Sequence, residues 1–182
     1  VINSRIAMVY TWLDNTAKAH EYFDRASDLD AGGIIHDMAY ALFLKRTGQL
    51  DKSRTMSLAA ATTIGSDSSW IDPVFKALAE PVPENGRAAL AAINRSWAAG
   101  EVIPHIVILV RTMLGDIEGA MDIARLLDNP GETFSMEILF IGEMAPLRRH
   151  PEFMDLLESL NVLAHWQDIG CRWVNDRVLC ND

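Results

Sequence analysis

The stretch Tyr10–Ala31, "YTWLDNTAKAHEYFDRASDLDA", decides the fold. It is rich in alanine and apolar at helical spacing, with one interruption at Leu13-Asp14-Asn15. Two helices lie close only where side chains are small, so Ala7, Ala19 and Ala26 are expected at helix crossings. Asp14 or Asn15 tolerates left-handed backbone, and either one can cap a following helix. The pattern is therefore a hairpin of two helices and not one rod. A second stretch, Leu44–Gly65, "LKRTGQLDKSRTMSLAAATTIG", follows the same plan. With a shift of 34 residues, Ala7 falls on Ala41, Tyr10 on Leu44, Asp14 on Gly48 and Ala19 on Ser53. Phe23 falls on Ser57, Ala26 on Ala60 and Ala31 on Gly65. Small residues meet small ones at four of these seven places, which marks the crossing points of a repeated unit.

A further copy runs from His105 to Gly131, "HIVILVRTMLGDIEGAMDIARLLDNPG", with Gly115 at the turn, Ala120 and Ala124 beyond it, and Pro130-Gly131 as the stop. Between the copies, "WIDPVFKALAE" and "ENGRAALAAINRSWAAG" read as a helix pair joined by Pro81-Val82-Pro83, in a register that does not fit 34 cleanly. The tail, Phe134–Trp166, reads as a helix to about Glu143, a break at Pro146, and a helix from about Pro151 to Leu160.

The period of about 34 residues is that of the tetratricopeptide repeat (TPR) family, which this chain resembles. The first unit carries the family's small and large residues at Ala7, Tyr10, Ala19, Phe23 and Ala26, and the second at Ala41, Gly48 and Ala60. It departs at Asp14, where the family has Gly, at Ala31, where Pro is frequent, and at Ser57, where a large residue is usual. The tail residues Leu147, Arg148, Pro151, Phe153, Leu156, Leu157 and Trp166 are similar to the ends of degenerate TPR arrays in bacterial proteins. Such arrays sit behind class III adenylate cyclase or winged-helix DNA-binding domains. Gly170 and Cys180 fall where those tails carry Gly and Cys.

The resemblance implies an all-α, TPR-like solenoid of about four helical hairpins with C-terminal capping helices. The repeats would span approximately 1–33, 34–67, 68–100 and 101–131, followed by capping helices over 134–166 and a tail over 167–182, as a single domain. It also implies a concave groove lined by the first helix of each pair. By the matched register the groove takes Ser4, Met8, Thr11 and Trp12, then Met38, Leu42, Lys45 and Arg46, then His105, Leu109, Thr112 and Met113. Met8, Trp12, Met38, Leu42, Lys45, Arg46, His105 and Leu109 are the expected partner-binding residues, with ordinary helix–helix packing as the competing role. Adaptable Met side chains suit peptide binding.

Composition fits this reading. Apolar residues make up 49% and charged residues 23%, as in ordinary globular chains. A formal net charge of -9 argues against direct nucleic-acid binding, which needs a basic face. The longest apolar run, Val102–Val110, is too short to span a membrane, and no signal-peptide pattern is present. The chain begins at Val1 within a helical pattern, which we read as an excised or mature piece of a longer protein, and its exposed apolar end leaves homodimerisation open. Cys171 and Cys180 do not make a disulfide framework, so two free thiols in a reducing cytoplasm are expected, with a bridge as the alternative.

Catalytic chemistry finds no support in the residues. Gly32-Gly33 is isolated and reads as a helix end and linker rather than a phosphate loop. Asp24, Asp28 and Asp30 read as a solvated acidic face, and no metal or cofactor is expected. His20, His36, His105, His150 and His165 are scattered, without motif spacing to a nucleophile. The five tryptophans read as packing anchors, Trp166 most clearly. The expected function is non-catalytic, the binding of a protein or peptide partner by a regulatory domain of a bacterial signalling protein. The alternative is a sensor that takes a small molecule in the groove and controls an output domain.

Overall fold

The computed structural model describes residues 2–29, 33–128, 136–174 and 177–181. The described chain is mostly α-helical, arranged as successive helix pairs, and it divides into two compact units, residues 1–102 and 103–182.

The first unit holds α1 (Ile2–Trp12) with α2 (Thr16–Leu29), α3 (Ile34–Arg46) with α4 (Leu50–Thr63), and α5 (Ile71–Ala79) with α6 (Pro83–Ala98). The interruption at Leu13-Asp14-Asn15 is a hairpin turn. Asp14 takes φ 54°. The amides of Asp14 and Asn15 bond back to the carbonyls of Thr11 at 3.3 Å and Tyr10 at 2.9 Å, closing α1. Asn15 Oδ1 then accepts the Lys18 amide at 3.2 Å and caps α2. The two residues thus divide the tasks of stopping one helix and starting the next. Gly48, at φ 76°, closes α3 with the same bond pair, to Lys45 at 3.1 Å and, from Gln49, to Leu44 at 2.8 Å. A glycine adopts this conformation without the steric cost that Asp14 carries.

The small residues lie where the repeat places them. Ala7, Ala19, Ala26, Ala41, Ser53 and Ala60 are all buried. Ser53 also donates to the Ala41 carbonyl at 2.6 Å, so its hydroxyl is satisfied at the α3–α4 crossing. Ala26→Leu is expected to overpack its crossing and cost roughly 1–3 kcal/mol in a urea melt. An unchanged midpoint would show that Ala26 is not at a helix contact.

The pair that sequence reading could not register is present, and its register is one residue short. The second helices begin at Thr16, Leu50, Pro83 and Ile117, in steps of 34, 33 and 34 residues. Its turn, Glu80-Pro81-Val82, lacks a left-handed glycine. Asn85 instead donates to the Glu80 carbonyl at 3.0 Å, and Pro83 opens α6, where a missing amide hydrogen costs nothing.

The second unit holds α7 (Pro104–Met113) packed on α8 (Ile117–Arg125), then 3-10 turns at Leu126–Asp128, Met136–Phe140 and Gly142–Met144. After these come α9 (Ala145–Arg148), α10 (Phe153–Ser159) and α11 (Val162–Asp168). The expected helix to Glu143 is 3-10 over its described part. Arg148 donates to the carbonyls of Leu139 at 3.0 Å and Ile141 at 2.8 Å and so holds that segment. Pro146 sits in the first turn of α9, so the expected break is a helix start. Leu147, Phe153, Leu156 and Leu157 are buried with Val107, Ile108, Met121, Leu139 and Met144. The Pro130-Gly131 stop and Gly32 lie outside the described residues. Gly33 is extended at the N-cap of α3 rather than closing α2.

One expectation for the tail is corrected. Cys171–Val174 (β1) and Arg177–Cys180 (β2) form a small antiparallel ribbon at the end of an otherwise mostly helical chain. Cys171 and Cys180 are not free thiols. They face each other in the ladder and are joined by a disulfide. The direct cross-strand pairing explains why the bridge forms despite a sequence separation of only 9.

Candidate functional site

In the first unit, α1 and α3 run side by side and are tied near both ends. Ser4 Oγ lies 3.4 Å from His36 Nδ1 near their N-termini. At their C-termini, Arg46 Nη1 donates to the Thr11 carbonyl at 2.7 Å. The contacts join residues 32 and 35 apart, so the two helices are parallel and in the register of the repeat. Phe23 of α2 fills the space beneath them. It is wholly enclosed, with ring centres 4.9 Å from Tyr40 and 5.2 Å from Phe43.

This packing sorts the expected groove residues. Met8 and Trp12 of α1 and Leu42, Lys45 and Arg46 of α3 are half-buried, and Met38 is 37% exposed. Met8 also packs on the cluster of Ala7, Ala19, Phe23, Ala39 and Phe43, so its exposed part is only one edge. One guanidinium hydrogen of Arg46 is committed to the Thr11 carbonyl. Ser4 and Thr11 leave the list. They are 1% and 6% exposed, and they lie on the side of α1 that meets α3. Their counterparts one repeat later, Met38 and Lys45, are more open. The reason is a change in packing. The second and third pairs meet through α4 and α5, and among the described residues α3 has no contact with α5 comparable to that of α1 with α3. The face that α1 buries is therefore partly open on α3.

Beside this face, Tyr40 and Leu44 of α3 and Asp51, Lys52, Thr55 and Met56 of α4 line an open pocket of about 290 Å³. It shares no residue with the expected groove. Burial, with Asp24 second, raises the Tyr40 phenol above its ordinary value, so it is a neutral hydrogen-bonding group at physiological pH.

In the second unit, His105 and Leu109 of α7 are half-buried, as is Met113. Thr112 is buried and bonds the Ile108 carbonyl at 2.8 Å, so it is unavailable to a partner. At the α7–α8 turn, Asp116 caps α8 through the Gly119 amide at 3.2 Å and pairs with Arg111 at 2.5 Å. A Cβ at Gly119 would fall 1.9 Å from the Arg111 guanidinium and 2.5 Å from the Asp116 carboxylate, so the side chains of this pair would have to shift to admit one.

Three polar arrangements escaped sequence reading. His36 is buried, with Ser4 on one ring nitrogen and Ser27 Oγ 3.3 Å from the other. His150 is buried against Glu118 at 3.1 Å. Its Nδ1 accepts the Glu152 amide, so Nε2 carries the proton and donates to Glu118. Asp67 accepts from the Ser96 hydroxyl at 2.5 Å and from Ser69, and these bonds, Ser96 first, hold its carboxyl below the usual range. That network pins the α4–α5 connection to α6. The histidine partners lie 32 and nine residues away for His36 and 32 for His150, so no short motif signals them.

Among the described residues there is no cluster of metal-ligating side chains and no helix long and apolar enough to cross a membrane. No family model matches the chain, no curated protein is significantly similar to it in sequence, and no solved structure is significantly similar in fold.

Proposed function

We propose that the chain is a TPR-like interaction domain that binds a protein or peptide through the first helices of its early repeats. The observation that supports this is the paired, parallel setting of α1 and α3, which leaves Met8, Trp12, Met38, Leu42 and Lys45 partly exposed on neighbouring helices. Met and Trp supply adaptable and rigid apolar contact. Lys45 and Arg46 supply charge for an acidic side chain or a terminal carboxylate. The role is regulatory and non-catalytic, in a bacterial signalling protein of the cytoplasm. The Cys171–Cys180 bridge is more usual of an oxidising compartment, and in the cytoplasm it would be transient.

Lys45→Glu is the informative variant, because Arg46→Glu would also remove the bond to Thr11. A labelled acidic peptide with a free C-terminal carboxylate should bind the wild-type chain in a fluorescence-anisotropy titration. Lys45→Glu should weaken it about tenfold, or about 1.4 kcal/mol, in a chain whose far-ultraviolet helical signal is retained. Equal affinity for both proteins would rule Lys45 out of the binding face.

The second reading, a small-molecule sensor, draws support from the pocket between α3 and α4, where Tyr40, Asp51, Lys52 and Thr55 surround the apolar Leu44 and Met56. A metabolite that raises the melting temperature of wild-type protein and not of Met56→Trp would favour it.

A further inference from the structure

We propose that the Cys171–Cys180 bridge is a redox-operated clasp: a dithiol reductant opens it and releases the C-terminal ribbon from the aromatic surface on which it sits. The proposal does not depend on the partner reading above. It stands on what each strand touches. β1 packs on α11, and its Trp173 lies flat on Trp166, with ring centres 5.7 Å apart and planes 6° apart. The same indole meets Phe140 at 5.8 Å and Phe153 at 6.2 Å. β2 is different. All four of its residues, Arg177, Val178, Leu179 and Cys180, are exposed. A two-stranded ribbon is marginal in water without further packing. Val178 and Leu179 are 38% and 46% exposed, so β2 buries little, and its attachment rests mainly on the ladder to β1, the Asn181 amide bonded to the Gly170 carbonyl at 2.9 Å, and the disulfide.

The two cysteines are unequal in exposure. Cys171 is 8% exposed, whereas Cys180 lies on the exposed strand. An incoming thiolate therefore attacks Cys180 Sγ. The S–S bond breaks and Cys171 leaves as a thiolate, which takes a proton. The second thiol of the reductant then displaces Cys180 from the mixed disulfide. Two electrons and two protons pass from the dithiol to the protein, giving two cysteine thiols and an oxidised dithiol. Without the cross-link the strands regain chain entropy that β2, only partly covered, does little to offset. Once β2 leaves, β1 loses its ladder, and Trp173 is held by ring contacts alone. Its departure uncovers Phe140, Phe153 and Trp166, an aromatic surface that the oxidised form covers.

The test uses the whole chain, oxidised or treated with dithiothreitol under native conditions, with intact mass reporting the gain of two hydrogens. Reduction should proceed without denaturant. Hydrogen exchange over residues 171–174 and 177–181 should then accelerate at least about tenfold, tryptophan emission should shift to longer wavelength, and the far-ultraviolet helical signal should stay. Cys171→Ser with Cys180→Ser should reproduce the reduced state with or without dithiothreitol. A verified reduced chain that keeps its ribbon protection and emission would overturn the clasp. So would a bridge that resists dithiothreitol until the protein is unfolded, or reduction that melts the helices as well.

Discussion

Phe23→Ala is expected to lower the unfolding free energy by about 3–5 kcal/mol, the range for removing a fully enclosed aromatic ring. Phe23 belongs to α2 and lies against the side chains of the next pair, with Tyr40 at 4.9 Å, Phe43 at 5.2 Å and His36 at 5.9 Å. It is thus the joint between two hairpins as well as core within one. Of the buried residues that share its cluster, Ala7, Ala19 and Ala39 are too small to move into the space, and Phe43 is itself enclosed at 2% exposure. The cavity should therefore persist and add to the lost transfer energy. Tyr22→Ala serves as the control. Tyr22 is half-buried and stacks on Tyr10 at 5.5 Å, so its loss should cost about 1 kcal/mol. Urea melts of the three proteins decide the matter. Equal losses for the two variants would mean that α2 does not pack on α3 as described.

The same position shows what sequence could and could not reveal. Ala7, Ala19, Phe23 and Ala26 are legible because burial at a helix crossing leaves a size pattern every 34 residues, and that pattern survives in the second pair. Ser57, one repeat after Phe23, breaks the pattern for a structural reason. Its hydroxyl returns to the Ser53 carbonyl at 2.9 Å, and the second pair meets the third through α4 and α5 without an aromatic joint. A sequence pattern reports which residues are small or large, and not which neighbouring helix each one meets. That is why Ser4 and Thr11 read as groove residues: their burial depends on His36 and Arg46, 32 and 35 residues away. The third pair was blurred by one missing residue and by a proline turn in place of a glycine one. The ribbon was invisible because strands of four residues are too short to establish alternation. The half-exposed setting of Met8, Trp12, Leu42, Lys45 and Arg46 was legible only as far as repeat register carries from one helix to the next.

In the second unit, Phe153→Ala is expected to cost about 3–5 kcal/mol and to loosen the C-terminal ribbon together with the core. Phe153 begins α10 and is 1% exposed. It is the buried member of an aromatic group whose other members, Phe140, Trp166 and Trp173, are each half-buried. Its ring centre lies 6.5 Å from Phe140, nearly perpendicular to it, and 6.2 Å from Trp173. Edge-to-face contacts of this kind add roughly 0.5–1.5 kcal/mol beyond burial, so Phe153→Leu should recover most of the volume and little of that contact. Leu at this site should therefore cost less than Ala, with the difference between them reporting the cavity. Hydrogen exchange separates the two consequences. Phe153→Ala should speed exchange in α10 and α11 and also in Cys171–Val174, because one of the three rings that meet Trp173 is gone while Trp166, Phe140 and the disulfide remain. Faster exchange in the helices with β1 unchanged would show that the ribbon is held by its bridge and ladder alone, and that Trp173 adds nothing to its docking.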